Sequence, residues 1–330
     1  MRRWLVGAFL VGIAGLPQQT AGQEAPLKRV QTIPLPGVQG RFDHFAVDLS
    51  GERLFLAALG NNTLEVLNLK GGRVAQSFKG VREPQGVAFA PDLNRVFVGE
   101  GEGAVCTSLD SKTLAVLQRV AGLDDADNVR YDPARKRVYV GYGSGGMGVI
   151  DAATGKLLKQ VPLAGHPESF QLEKTGPRIF VNVPGAGHVA VIDRNTQTVT
   201  TTWRVTGAAA HFPMALDEKN HRLLIGCRQP ARLVVFNTDT GKQVAATEIV
   251  GDTDDLFYDA ERQRVYVIGG GGAITVLAQR DADHYERVAE VATAPGARTG
   301  YFVPELKRLF VAVPHRGSQE AEVRMFAVAP

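Results

Sequence analysis

The stretch Arg137-Val138-Tyr139-Val140-Gly141-Tyr142-Gly143 is an arginine followed by a β-branched and aromatic run that ends in turn residues, the composition of a short strand. Its pattern occurs at six more places: Arg53 with LFLAAL, Arg95 with VFVGEG, Arg178 with IFVNVP, Arg222 with LLIGCR, Arg264 with VYVIGG and Arg308 with LFVAVP. Successive arginines are 42, 42, 41, 44, 42 and 44 residues apart, and a nearly fixed period of this size marks a repeat architecture. Five residues ahead of the arginine stands an acid in five copies, Asp48, Asp132, Glu173, Asp217 and Asp259, closing another short strand such as HFAVD or DLFYD. Each copy therefore opens with a tight hairpin, and the acid and the arginine are expected to form an ion pair across its turn.

Gly-rich turns follow, then a third strand such as LEVLNL or MGVID, a turn such as Ala153-Thr154-Gly155-Lys156, and a fourth strand such as KLLKQVPLAG. Four short strands per period describe a propeller blade, and no sustained helical periodicity competes with that reading. The expected fold is all-β: a seven-bladed β-propeller with four antiparallel strands per blade. The last copy stops after its third strand, Val323 to Val328. The segment from Val30 to Gly37 resembles the fourth strand of the third copy, Leu158 to Gly165. The N-terminal segment is thus expected to complete the last blade and close the ring, which covers edges that an open sheet would expose.

Arg2 and Arg3 precede an apolar run from Trp4 to Leu16, and small residues follow through Ala21 and Gly22. That order reads as a secretory signal peptide over residues 1–22, leaving one propeller domain over residues 23–330, periplasmic or secreted. The run is too short for a stable membrane span and no comparable run follows. Without residues 1–22 the 37 basic residues become 35 against 34 acids, a net charge of +1, which is not a nucleic-acid footprint. Cys106 and Cys227 fall in the second and fifth copies, so a bridge between them is not expected even in an oxidising compartment.

Through VYVGYG, VYVIGG and RIFVNV, followed by IDAATGK or FNTDTGK, the chain resembles the YVTN-repeat bacterial propellers, the YncE family, over essentially residues 25–330. The resemblance implies the propeller fold. For activity it implies little, since similar propellers include proteins that bind single-stranded DNA, lyases and proteins without an assigned role.

Aligning the copies on their arginines places a ring of residues just before the innermost strands: Asp43, Gln85, Asp127, Glu168, Phe212, Asp254 and Arg298. The next residues are His44, Gly86, Asn128, Ser169, Pro213, Asp255 and Thr299, and two positions ahead of the ring stand Arg41, Glu83, Asp125, His166, Ala210, Asp252 and Gly296. His188, His211 and His315 are assigned to loops on the same face, with Arg228 and Arg316; His221 and His284 fall on the other. The expected ligand-binding set is Arg41, Asp43, His44, Gln85, Asp125, Asp127, Asn128, His166, Glu168, His211, Arg228, Asp252, Asp254, Asp255, Arg298 and His315. Carboxylates and imidazoles mixed in this way suit a polar ligand or a divalent metal; the bland alternative is that they cap turns and pair across a wet channel.

Other motifs lose their force in context. Gly141-Tyr142-Gly143-Ser144-Gly145-Gly146 matches G-x-G-x-x-G, but a strand follows it and not the helix that a dinucleotide needs. Asp125-Ala126-Asp127-Asn128 and Asp252-Thr253-Asp254-Asp255 lack the glycine and glutamate of a calcium loop. The D-x-x-T-G-K turn is shared with quinoprotein dehydrogenases, but only one tryptophan, Trp203, follows the leader. WD dipeptides and a G-x-S-x-G elbow are absent.

The leading expectation is a monomeric periplasmic binding module for a small polar or ionic ligand or a protein partner. A metal-dependent lyase or hydrolase, similar in fold to virginiamycin B lyase and with His44, His166 or His211 as base, is the alternative. The YncE resemblance implies single-stranded DNA as a third, opposed by the acidic character of the funnel.

Overall fold

The computed structural model describes residues 25–143 and 145–330; the expected leader lies outside them. Among the described residues, 28 strands form seven four-stranded sheets. In six sheets the spatial order follows the chain. The seventh combines Thr299–Val303, Arg308–Val313 and Glu322–Val328 with the N-terminal strand Leu27–Pro34. That strand runs antiparallel to Glu322–Val328, with Leu27 opposite Val328 and Ile33 opposite Val323. Ring closure by the N-terminal segment is therefore observed, with a register shift between Arg29 and Gln31.

Seven arginines head the second strands, from Arg53–Ala58 in blade 1 to Arg308–Val313 in blade 7. The five residues after each are apolar in most positions and almost wholly buried, because blades pack face to face and the middle of each sheet is covered on both sides. Outer strands such as Thr198–Arg204 are largely exposed. The core consequently lies in the seams between blades. Ile33, Phe45, Leu54, Phe310 and Val323 share the seam of blades 7 and 1. Leu27 joins Tyr266, Ile268 and Phe302 in the seam of blades 6 and 7. Burying each such side chain contributes about 1.5–3 kcal/mol.

The turn before the arginine is tight because the preceding residue takes a left-handed conformation in six blades, at Glu52, Asn94, Lys136, His221, Gln263 and Lys307. With Asp48 opposite Arg53 and Asp132 opposite Arg137 the loop has four residues, a length most often built around a type I turn. Blade 4 carries Pro177 at this place, whose ring forbids positive φ. Its turn is instead held by Glu218 of blade 5, which accepts hydrogen bonds from the Lys174 and Thr175 amides and the Thr175 hydroxyl at 2.8–3.1 Å.

The expected ion pair across the turn forms in only two of the five copies, Asp48 with Arg53 and Glu173 with Arg178. Asp132 binds Arg194 of blade 4 at 2.7 Å while Arg137 takes Asp151. Asp217 accepts Gln279 of blade 6, and Arg222 reaches Asp283. Asp259 pairs with Arg262. Most of the repeated arginines, whether or not they keep that ion pair, also extend to the neighbouring blade. Arg53 donates to Ser111 O, Arg95 to Ala152 O, Arg178 to Thr238 O, and Arg264 to Ala329 O. With Arg222, five of the seven repeated arginines therefore tie a blade to the next one.

Candidate functional site

All seven residues of the ring read from the repeat, Asp43, Gln85, Asp127, Glu168, Phe212, Asp254 and Arg298, line one opening of about 330 Å³ at the end of the central channel. Arg41, His44, Asp125, Asn128, His166, Ser169 and Arg228 line it as well. The loops that bring them there are tied at equivalent points: the carbonyls of Arg41, Glu83, Asp125 and Asp252 each accept a hydrogen bond from a glycine amide of the loop between the second and third strands. Glu83, Asp125, Ala210 and Asp252 hold positive φ of 42–54°. A left-handed residue with a side chain costs about 1–2 kcal/mol, so the surrounding hydrogen bonds hold these loops in a conformation they would not otherwise prefer.

Below the ring, strand alternation sets a second layer. Residues two positions further along the inner strands point the same way, and Ala46, Ala88, Arg130, Gln171, Phe257 and Tyr301 line a lower chamber of about 470 Å³. His44 borders both spaces. The sequence reading missed this chamber, though the same alternation carried two residues onward from His44, Gly86, Asn128, Ser169, Asp255 and Thr299 would have found it.

Asp127 occupies the centre of the charged cluster. Its Oδ1 lies 3.6 Å from His44 Nε2 and its Oδ2 lies 3.7 Å from His166 Nε2. Asp43 Oδ1 is 3.4 Å from the same His44 nitrogen. On the far side of each ring an acceptor waits: Asp255 Oδ1 at 4.0 Å from His44 Nδ1, and the Gly143 carbonyl at 2.6 Å from His166 Nδ1. Asp255 is itself positioned by the Gly300 amide at 2.8 Å.

These contacts move the titrations apart. Burial alone would raise Asp127, but the His166 and His44 imidazoles facing its two oxygens at 3.7 and 3.6 Å hold it well below the usual carboxylate range. Burial alone would lower His44, yet Asp43, Asp127 and Asp255 push it up to about 10. The Asp127 carboxylate facing it at 3.7 Å carries His166 up to about 9. Burial raises Asp43 to about 7, Asp255 to about 7 and Glu168 to about 8, in the last case with Asp127 adding repulsion. Both imidazoles are thus shifted toward the charged form, while Asp43, Asp255 and Glu168 are shifted toward the neutral form.

The opposite wall is already neutralised. Asp254 is bound by Arg228 and, at 3.0 Å, by Arg298, and Arg298 also reaches Asp252 at 3.0 Å. The Arg228 guanidinium stacks 3.8 Å over the Phe212 ring. Asp252 therefore stands behind the arginines rather than on the lining, and Asp255 faces the lower chamber.

Two further expected members do not join the cluster. His211 is fully buried within the blade 5 strand Ala209–Asp217, where its Nε2 meets the His188 carbonyl at 3.0 Å. The inner strand of blade 5 starts early, and a register shift between His211 and Met214 turns the imidazole away from the channel. Burial lowers its pKa, which keeps it neutral. His315 sits in a blade 7 loop outside the lining, because that loop folds on its own bridge between Arg316 and Gln319.

No protein-family model matches the chain, and no curated protein sequence matches it. Among solved structures it is similar to a chain of the hydrazine synthase of Kuenenia stuttgartiensis, with a TM-score of 0.75 and 15% identity over 89% of this chain and 99% of that one. It is also similar to a chain of a mitotic checkpoint complex, with a TM-score of 0.76 and 14% identity over 100% of this chain and 99% of that one. At such identities the likeness shows the seven-bladed fold and nothing about activity.

Proposed function

We propose that the chain is an exported binding propeller of the YVTN-repeat type whose funnel captures a small ligand bearing positive charge. The observation that carries this reading is the cluster of Asp43, Asp127 and Glu168, brought from three blades to one open space and faced at close range by the imidazoles of His44 and His166. A cationic group entering there would replace protons and relieve the repulsion between the carboxylates. Arg228 and Arg298 are already engaged with Asp254 and Asp252, so they leave the acidic half of the funnel free to select the charge.

The test is a melting screen of divalent metals and small organic cations against the wild type and against Asp43→Asn, Asp127→Asn and Glu168→Gln. Occupancy at 100 times the dissociation constant adds about 2.7 kcal/mol, so a true ligand raises the wild-type melting point and loses that effect in the variants. Absence of a shift with any compound removes the reading. Export rests on Arg2, Arg3 and the apolar run to Leu16; N-terminal sequencing of the periplasmic form should begin near residue 23.

The second reading is a metal-dependent lyase or hydrolase. It is favoured by the two imidazoles at the cluster, either of which would act as a base once deprotonated.

A further inference from the structure

Asp127 belongs to two separate groups of prospective ligand atoms, one with Asp43 and His44 and one with His166 and Glu168, and within each group the atoms lie within 4.8 Å of one another. The two groups use different oxygens of its carboxylate, Oδ1 toward His44 and Oδ2 toward His166. We propose that the funnel holds two divalent transition-metal ions bridged by the Asp127 carboxylate, a proposal that rests on the cationic-ligand reading above and names its ligand.

Three further features fit that occupant. Each imidazole presents Nε2 to Asp127; the His166 Nδ1 meets the Gly143 carbonyl at 2.6 Å, and the His44 Nδ1 faces the Asp255 carboxylate at 4.0 Å, beyond direct hydrogen-bond reach. Metal-bound histidines are oriented as His166 is, with the second nitrogen donating to a carboxylate or a backbone carbonyl. Asn128 lines the same opening, is 2% exposed, and has a buried side-chain oxygen with no hydrogen-bond partner among the described residues, which a metal or its bound water would satisfy.

The donor set decides the class of metal. Two imidazoles and three carboxylates suit zinc or manganese better than calcium or magnesium, which prefer oxygen alone. Three carboxylates against two dications leave one positive charge in excess, so an anionic third ligand, hydroxide or a carboxylate or phosphate group, completes the site. Carboxylate-bridged pairs stand about 3.5–4 Å apart.

Chelator-treated chain is loaded with Zn(II) and its metal content measured after dialysis, and loaded separately with Mn(II) for electron paramagnetic resonance. Two zinc ions per chain and an exchange-coupled manganese signal are expected. Asp127→Asn loses both ions, while Glu168→Gln and Asp43→Asn each keep one and show an uncoupled six-line manganese signal. One ion in the wild type, an uncoupled wild-type signal, or two ions surviving Asp127→Asn overturns the proposal. Should Asp127→Asn fail to fold, the other two variants decide alone. Binding of an organic cation without metal overturns the dinuclear site and leaves the binding reading standing; no shift with any compound removes both.

Discussion

His44 and Asp127 enter the channel from blades 1 and 3, and the His44 Nε2 stands 3.6 Å from the Asp127 Oδ1. Blade 2, between them, contributes Gln85, which donates to Asp125 at 2.9 Å and carries no charge. Contact across a blade is possible because inner strands converge on the channel axis, and it concentrates charge that each blade alone would leave in solvent.

That concentration gives the ligand-free chain a pH dependence. Glu168 is raised to about 8 and Asp43 to about 7 by burial, so between the ordinary carboxylate range and those values the folded chain binds more protons than the unfolded one. Stability then falls as pH rises through the window. His44, raised to about 10, acts in the same direction, since its stabilisation is full below 6.5 and is lost toward 10. Asp127 acts oppositely, but only below the usual carboxylate value. The melting temperature of metal-free wild type should decline from about pH 5 to pH 9, and Glu168→Gln should decline less and melt at or above wild type near pH 8. An equal slope in the variant would contradict the burial argument.

Closure of the ring is testable at its two ends. Ile33 is completely buried in the seam of blades 7 and 1 and lies opposite Val323. Ile33→Ala should cost about 2–5 kcal/mol in urea unfolding. Deleting residues 23–36 should lower the melting temperature by at least several degrees, because blade 7 would lose its outer strand. A truncated chain that melts like wild type would show that the strand is dispensable.

Arg194 and Asp132 join blades 4 and 3 with side chains each only 4% exposed. Arg194→Ala leaves a buried carboxylate without its main partner and should cost about 3–5 kcal/mol. Arg280 and Glu286 form a comparable pair in the open, 58% and 61% exposed, and Arg280→Ala should cost less than about 1 kcal/mol. Denaturant midpoints of the two variants measure the contrast, and similar losses would argue against burial as the cause.

Both cysteines are free and buried, and burial pushes each thiol up to about 12. Native chain should react slowly with a thiol reagent, whereas denatured chain without reductant should titrate two thiols, since the thiolate is the reacting form. A bridge between Cys106 and Cys227 found by mass spectrometry would overturn the assignment of blades.

The period of Arg53, Arg95, Arg137 and their four successors determined the number of blades, the strands within each and the closing role of Leu27–Pro34, because strand alternation and turn chemistry are local properties that the chain states residue by residue. The same alignment placed Asp43, Asp127 and Glu168 on one ring. Tertiary structure alone decided that Asp132 turns to Arg194 rather than to Arg137, and that His211 is sealed inside blade 5 while His166 reaches Asp127. Those outcomes depend on which side chain from another blade arrives within about 3–4 Å, where electrostatic attraction and hydrogen bonding act, and a repeat pattern fixes where a backbone position lies but not which neighbour its side chain meets.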